Sequence, residues 1–574
     1  MRKYELLRSQ LQLERATFLS HWRDLGQNVS ARRMRFAVND VNRGDRRNQN
    51  IYNNCAVMAH RTLRSGMMAG ITSPARPWFR LTTANPDLND LASVKLWLDQ
   101  VDNRITALFL KSNLYNVLPI IYGDMGQFGT SAMMIEEDFD DCIRFYAFPI
   151  GTYMLAVDSK GRVDTFIREF RMTVKQVVQK YGMDKNTDKI DWSNISITVQ
   201  NLWEKDQRES WVDIIHVICP NDNYHPHKVE SKFKKYSSIY YERGSTGNQF
   251  ADDINQQDDK LLSEKGYDFF PVLPPRWEVS AEDAYGTSCP GMDALGDIKQ
   301  LQVGEKRTMQ AVDKIINPPM TAPTSMRNSK TSILPGDISY VDLREGQQGF
   351  KPIFEVRLSI QEMEMKQTQV MKRIDQAYYK DLFLMFADID RSGITATEVN
   401  ERQQEKLLAL GPVLEQLNQD LLDPLIDITF QIALKQGRFP PPPQELHGVE
   451  LKVEYISIMA QAQKVAGLSG LDKFAGFMAQ AYQMMPSILD KINPDKLADV
   501  YGDLTSVPPQ IIRPDDEVAA MRQQQAKQQQ QQQQTEAMNQ QSQTAKNLSQ
   551  SDMSGNNALA ALVNQSKAGQ LVQQ

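Results

Sequence analysis

The run Thr395-Ala-Thr-Glu-Val399, with the residues that follow it, decides how the rest of the chain is read. Thr395 is placed to cap a helix, and Glu398, three residues on, completes a capping box. Ile394 and Val399 stand where a hydrophobic staple packs. Val399, Leu407, Leu410, Leu414, Leu417, Leu421, Leu425, Ile428 and Ile432 then recur at steps of three and four, with one skipped turn at Gln403. This spacing lays one apolar stripe along a helix of roughly forty residues, on the order of 60 Å long. Gly437 and the run Pro440 to Pro443 end it. Pro412 predicts a kink near Leu408 to Gly411.

Upstream, Val356, Ile360, Met363, Val370, Ile374 and Ala377 form a second stripe, with Gln367 filling one turn. Between the two helices lies Phe386-Ala-Asp-Ile-Asp-Arg-Ser-Gly-Ile394. Asp388, Asp390, Ser392 and Gly393 imitate the first half of a calcium loop. The position that needs a bidentate acid is Val399, however, and Glu398 falls one residue short. A polar loop running into a helix cap is the better reading.

At 574 residues the chain is too long for one core, so several subdomains are expected. Charged residues at 24% and hydrophobic ones at 41% are ordinary for a soluble globular protein. A net charge of −6 argues against gripping nucleic acid through the overall field, although a local basic patch is compatible with it. Cys55, Cys142, Cys219 and Cys289 are widely spaced and form no CxxC pair. They suggest neither a zinc site nor a disulfide framework, and a reducing cytoplasm fits. The N-terminal Met1-Arg-Lys-Tyr-Glu-Leu-Leu-Arg8 is polar and helical rather than signal-like, and no run of about eighteen apolar residues predicts a membrane span.

Taken in order, Tyr4, Leu7, Leu11, Phe18, Trp22 and Leu25 mark a first helix. The bases Arg32, Arg33, Arg35, Arg43, Arg46 and Arg47 follow, and read as a solvated or intersubunit face in preference to a DNA contact. A helix through Ile51, Cys55, Met58, Thr62 and Met67 runs into Gly70-Ile-Thr-Ser-Pro-Ala-Arg-Pro-Trp-Phe-Arg-Leu81, and another spans Leu91 to Ser112. The glycines of Tyr122-Gly-Asp-Met-Gly-Gln-Phe-Gly-Thr-Ser-Ala132 lack the Lys-Ser/Thr pair of a phosphate loop, so close backbone packing or a turn is expected. Strands are predicted at Ile143–Phe148, Thr152–Val157, Val163–Phe170, around Ile195–Trp203 and at Trp211–Ile218. Thr173 is expected to cap a short helix through Tyr181.

Phe269-Phe-Pro-Val-Leu-Pro-Pro-Arg-Trp277 is extended, and leads through Tyr285-Gly-Thr-Ser-Cys-Pro290 to a helix carrying Leu295, Ile298, Leu301, Thr308, Val312 and Ile315. Residues 317–355 read as a small β insertion, 450–504 as several short helices, and the chain from about Glu517 is dominated by Gln, Ser, Ala and Asn.

No chemistry is legible. Neither a nucleotide-binding GxxxxGK[ST] loop nor a GxSxG or HExxH motif occurs among these residues and their six histidines. Cys219, His225 and His227 have no fourth ligand in range. Glu136-Glu137-Asp138 and Asp140-Asp141 are adjacent rather than converging, and read as a solvated turn. No catalytic residue, metal or cofactor is expected.

The run from Asp390 through Thr395-Ala-Thr-Glu-Val399 to Leu410-Gly-Pro-Val413 and Leu417 resembles the portal, or head-to-tail connecting, proteins of short-tailed bacteriophages. So do the Gly70 to Leu81 run, the Tyr122 to Ala132 run, and the progression Arg276-Trp277, Tyr285-Gly286, Gly296-Asp-Ile-Lys-Gln-Leu301. The resemblance covers about residues 1–512. It implies an α+β, mostly α fold with wing, stem, clip and crown regions. The wing would take 1–290, the first stem helix 291–316, the clip 317–355, the second stem helix 356–385, the tunnel loop 386–394, a long kinked wing helix 395–438 and a helical crown 439–512. A Gln-rich tail, 513–574, would be disordered or form an axial helical barrel.

The resemblance further implies a dodecameric ring at one capsid vertex of the virion, assembled in the host cytoplasm. Double-stranded DNA would be packaged through it by a separate terminase and later ejected. Partners would be the terminase large subunit, tail adaptor proteins, and the major capsid and scaffolding proteins, with no membrane. Asp388, Asp390, Arg391, Lys366, Lys372, Arg373 and Lys380 would lie at the channel or tunnel loop. Lys299, Lys306, Arg307 and Lys314 share the stem; intersubunit salt bridges with Glu362, Glu364 and Asp375 are the equal alternative. Arg327, Lys330 and Asp337 would contact terminase or tail adaptor from the clip, and Leu410, Leu414, Leu417 and Leu421 would pack the wing helix. A chain acidic overall suits a channel that must not hold DNA tightly. The competing reading is a non-enzymatic α-helical adaptor or scaffolding protein.

Overall fold

The computed structural model describes residues 2–30, 33, 49–89, 91–183, 189–243, 261–280, 283–316, 320–321, 327, 351–352, 360–388, 410–446, 448–449, 451–456 and scattered helical positions between 518 and 543. The chain divides into two units, Met1–Gly467 and Leu468–Gln574. In the second, 521–528 is helical with every residue exposed, as its polar composition dictates.

The first unit opens on the helix Arg2–Asn28, whose buried Leu11, Trp22 and Leu25 follow the expected stripe. Arg15, buried beside them, donates to the carbonyls of Gly151 and Tyr153 at 2.8 and 3.0 Å. The next helix begins at Cys55 rather than Ile51 and runs to Ile71. It is followed by strand β1 (Phe79–Thr83) and the helices Ala92–Lys111 and Leu114–Phe128. Gly123 and Gly126 bring the last of these against His60 and Leu63, the close approach that the glycine spacing predicts. Gly129, at φ 77, ends it in the left-handed region, and its backbone abuts Gly286.

The change to strands expected from Met133 onward begins with β2 (Ala132–Asp138), which runs further than expected. Its acids Glu136, Glu137 and Asp138 belong to the strand, opposite Arg144, Ile143 and Cys142 of β3 (Cys142–Phe148), and only the residues between them form the turn. A five-stranded antiparallel sheet follows: β4 (Tyr153–Val157), β5 (Val163–Thr173), β6 (Trp211–Pro220), β7 (Tyr236–Glu242) and β8 (Ser263–Tyr267), in that spatial order. The first helix covers one face, where Leu11 meets Ile167, Ile215, Val217 and Ile239. β9 (Val272–Leu273) completes the three-stranded sheet β3-β2-β9.

Between β5 and β6 the chain departs from expectation. Thr173 caps a short helix with a capping box, as predicted, but Ile197–Glu204 is a helix and not a strand. The Ser196 hydroxyl accepts from the Val199 amide at 3.2 Å, a cap that outweighs the β-branched composition. Val199, Leu202 and Trp203 then fall on one face, against Val174, Val177 and Ile214.

Leu295–Ile316 and Ile360–Ala377 pack on one another, and the residues joining them begin and end in a short antiparallel pairing of β10 (Met320–Thr321) with β11 (Lys351–Pro352). The expected single helix to 385 is in fact two: Ile360–Ala377 stops, and Lys380–Asp388 starts afresh. Tyr379 takes φ 53 between them while Tyr378, fully buried, donates to Gln127 Oε1 at 3.1 Å.

The long helix is present from 410 to 435, interrupted by a π-turn at Asn418–Leu422. Residues 395–409, with the capping box, the staple and the first part of the expected kink, lie outside the described residues. Of the expected kink only Leu410 and Gly411 are described, both helical, and the distortion seen among the described residues lies two to three turns further on. Pro424 explains it: proline has no N–H for the carbonyl of Asp420, and its ring would crowd that carbonyl. The wider turn, closed by the Asp423 amide on the Asn418 carbonyl, relieves both. Gly437, at φ 66, terminates the helix as predicted. Beyond the proline run, 451–455 is not a short helix but strand β12 (Leu451–Tyr455), paired antiparallel with β1.

Candidate functional site

The two packed helices form the clearest candidate surface. The first half of Leu295–Ile316 is anchored, with Leu295, Ile298, Leu301 and Gln302 buried. Gln302 Oε1 accepts from the backbone amides of Tyr52 and Asn53 at 2.6 and 2.9 Å, and its Nε2 donates to the Asn53 carbonyl at 2.9 Å. A buried amide thus satisfies three groups of the chain entering the Cys55–Ile71 helix. Along the second half, no residue from 303 to 316 is buried.

The polar ties between the two helices show that they run antiparallel. Gln367, the odd position in the apolar stripe, donates to Thr308 Oγ1 at 3.0 Å. Arg373 grips Asp297 with two bonds, Nε–Oδ2 at 3.0 Å and Nη2–Oδ1 at 2.6 Å. The Asp297 carboxylate beside it holds the Arg373 guanidinium above its ordinary range.

The structure sorts the bases expected in this region. Arg373 is committed to Asp297, Lys380 to Asp375 at 2.7 Å, and Lys299 to Asp24 on the first helix. The acids sought as partners on neighbouring subunits are thus in part engaged within the chain. Lys306 lies 5.7 Å from the Tyr52 ring. Lys366, Lys372, Arg307 and Lys314 are exposed and carry no ion pair to a described residue. Asp388 is the last residue of its helix and Arg327 an exposed turn residue. Asp390, Arg391, Lys330 and Asp337 lie outside the described residues.

Apolar side chains share the same surface. Val303, Met309, Ile315 and Ile316 are 49%, 63%, 44% and 70% exposed, and Met365 on the second helix is 65% exposed. At the inner end the packing is tight: Gly66 leaves no room for a Cβ beside Phe383, which seats the Lys380–Asp388 helix on Cys55–Ile71.

Of the wing-helix leucines, Leu410, Leu417 and Leu421 are buried in this chain's own core and Leu414 packs against it. The residue that locks this helix, Arg276, was seen only as part of a motif: it is buried and paired with Asp420 in the π-turn. Arg33, alone of its basic run among the described residues, pairs with buried Asp124. The single acid of the otherwise apolar Leu114–Phe128 helix, Asp124, is a signal legible in the sequence, whereas Asp420 stands among Glu415, Asp423 and Asp427 and is not marked out by it.

Cys55 and His60, the thiol and imidazole packed near these helices, are not activated. Burial pushes the Cys55 thiol up to about 11, with Asp375 adding to it, and burial keeps His60 below its usual value. Among the described residues no group of three or more His, Cys, Asp or Glu is placed to hold a metal ion, Cys219 with His225 and His227 included. No described helix is long and apolar enough to cross a membrane.

Comparison with known proteins decides the family. The family model described as "Bacteriophage head to tail connecting protein" matches residues 2–512. This chain belongs to the bacteriophage head-to-tail connecting proteins. Among its relatives in that family, the "Portal protein" of Salmonella phage epsilon15 is 45% identical over 562 residues, covering 98% of each chain. The "Probable portal protein" of Bordetella phage BPP-1 is 41% identical over 550 residues, 96% of this chain and 95% of its own. Solved structures include the neck of an empty gene transfer agent particle, matched at a TM-score of 0.32 and 11% identity over 74% of this head-to-tail connecting chain and 91% of the other. The α+β fold expected from the resemblance, and the family itself, are those observed.

Proposed function

We propose that this chain is the portal subunit of a short-tailed phage: a ring of copies at one capsid vertex through which double-stranded DNA enters and leaves. The observation that carries this is 45% identity along 98% of its length to the epsilon15 portal protein. Identity sustained over both chains leaves no large segment for a different task.

The paired helices supply a physical rationale. Val303, Met309, Ile315, Ile316 and Met365 are apolar groups whose burial would each contribute about 1–2 kcal/mol, and a neighbouring copy in a closed ring is the partner that buries them on every subunit alike. Such contacts are heterologous, one face of each chain meeting the other face of the next. Residues 291–316 and 356–385 are then the stem, and 317–355 the clip, which meets the terminase large subunit and later the tail adaptors. By the same reading residues 386–394 are the tunnel-loop segment, although 386–388 end the Lys380–Asp388 helix, 439–512 are the crown and 513–574 the Gln-rich tail. Lys366, Lys372, Arg307 and Lys314 are the stem bases free to face DNA; Arg373 and Lys380 act within the chain. The ring is a dodecamer of the virion, assembled in the host cytoplasm with capsid and scaffolding proteins. Its work is mechanical and electrostatic rather than catalytic.

Electron microscopy of the purified protein tests this. End-on averages should show closed rings with a hole of roughly 20 Å or more, enough for duplex DNA. Monomers or open filaments at high concentration would overturn the ring and favour a helical adaptor.

A further inference from the structure

On the face of the five-stranded sheet opposite the first helix, a polar seam crosses the strands. His216 on β6 is fully buried, stacked flat on Tyr240 of β7 with ring centroids 3.9 Å apart. Its Nε2 meets Ser238 Oγ at 3.0 Å, while Nδ1 has no partner. Arg168, directly across from His216 on β5, holds its guanidinium over two rings, 4.9 Å from Phe148 and 4.5 Å from Phe170. Its Nε is buried and unpartnered, and so is the hydroxyl of Tyr181, whose ring lies 5.8 Å from that of Tyr240. Three of the buried side-chain atoms without a partner therefore belong to one cluster. Leaving a buried polar group unmatched is costly, so such groups gather where something is bound.

The charge around them has a sign. Lys180 stands beside them, its Nζ 5.5 Å from the Tyr240 ring, and burial, with Arg168 and Lys265 nearby, opposes its protonation. Glu136 is the acid that acts on Lys180, Tyr181, Tyr240 and Tyr267 alike. Three cations thus share one carboxylate. Burial, with Arg168 and Lys180 beside it, holds His216 well below its ordinary range, so it is a neutral hydrogen-bonding group there. Arginine Nε–H and tyrosine O–H are donors, and a neutral histidine whose Nε2 accepts from Ser238 donates through Nδ1.

We propose that Arg168, Lys180, Tyr181 and His216 form a binding site for a small oxyanion of the phosphate class. The site is built from elements other than the paired helices and does not depend on how the ring is read. Arg168 is held in place by its two aromatic neighbours before any ligand arrives, which limits the ordering that binding requires.

The test is calorimetric titration of the full-length protein with inorganic phosphate at fixed ionic strength, with thermal denaturation in its presence and absence. Wild type, Tyr181→Phe and Lys180→Ala are compared. Wild type should bind phosphate saturably and unfold at higher temperature when it is present. Tyr181→Phe removes only an unmatched hydroxyl, so without phosphate it should be at least as stable as wild type, while binding phosphate about tenfold more weakly. Lys180→Ala, at an exposed position, should weaken binding similarly. Absence of saturable heat would mean that water alone meets these groups, and equal binding by all forms would mean an adventitious ion only; either overturns the proposal. Acetate is titrated in parallel, and acetate binding more tightly than phosphate would overturn the assignment to the phosphate class.

Discussion

Arg276 closes on Asp420 through two parallel hydrogen bonds, Nε to Oδ2 at 2.9 Å and Nη2 to Oδ1 at 3.0 Å. Their side chains are only 3% and 13% exposed. Gln416 adds a third bond to the same carboxylate at 2.9 Å, and Arg276 also donates to the Gly161 and Asp283 carbonyls. One guanidinium therefore joins a β-turn, a proline-rich extended segment and the π-turn of the long helix. Removing either partner leaves a charge buried without its match.

Arg276→Ala or Asp420→Ala should each cost about 3–5 kcal/mol of stability. The double variant should cost less than the sum of the two, because each single change already loses the pair. Urea denaturation of all four forms measures this, and strictly additive losses would show that the pair is not coupled.

Leu421→Asp should yield no folded protein, since Leu421 is fully enclosed in the core of its own chain. Leu414→Asp, at a partly buried position packed on that core, should be milder and leave some soluble chain. The ratio of soluble to insoluble protein on expression reads both. Normal rings from both variants would contradict the helix assignment.

Asp102 is largely buried, and burial lifts its carboxyl to about 7 although the Leu81 amide donates to it. The folded value lies above the unfolded one, near 4, so the native state holds an extra proton between them and loses stability as pH rises through that interval. Asp102→Asn removes this dependence. Wild type should lose up to about 4 kcal/mol relative to the variant between pH 4 and 7. Parallel Tm–pH curves for the two proteins would contradict it.

Lys366→Glu with Lys372→Glu should leave ring assembly intact, because neither side chain has an ion-pair partner among the described residues. The amount of DNA packaged into heads by the reconstituted system should fall severalfold as the channel gains negative charge. Arg373→Ala, whose partner is Asp297 in the same chain, should package normally. The reverse order would exchange their assigned positions.

Much of this architecture was legible because its signals are local. The stripe of Leu417, Leu421, Leu425, Ile428 and Ile432, the box at Thr173 and the stop at Gly437 each depend on neighbours within a turn or two. Pro424 is an equally local signal, and it accounts for the π-turn around Asp420, four residues before it. The segment after Ile195 was read by composition, which ignored the Ser196 cap. Strand β12 is a different case. Its residues pair with β1 across a separation of 370 positions between Thr82 and Lys452; the alternation of Leu451, Val453 and Tyr455 with Lys452 and Glu454 is a local strand signal, but the partner strand is not local. The basic residues of the paired helices were legible as charges but not as partners: only the folded chain shows that Arg373 is spent on Asp297 while Lys366 has no ion pair to a described residue.

The same pairing sets a timetable for synthesis. β1 emerges early, yet its mate emerges about 370 residues later, a wait of roughly 20–75 s at about 5–20 residues per second. Until then β1 keeps an unpaired edge, the kind of surface that recruits stray strands. A ribosome that stops short of Tyr455 thus releases a chain whose sheet cannot close. A chain ended before that point meets its neighbours without the strand that completes β1, whereas one ended after it carries the pairing whole.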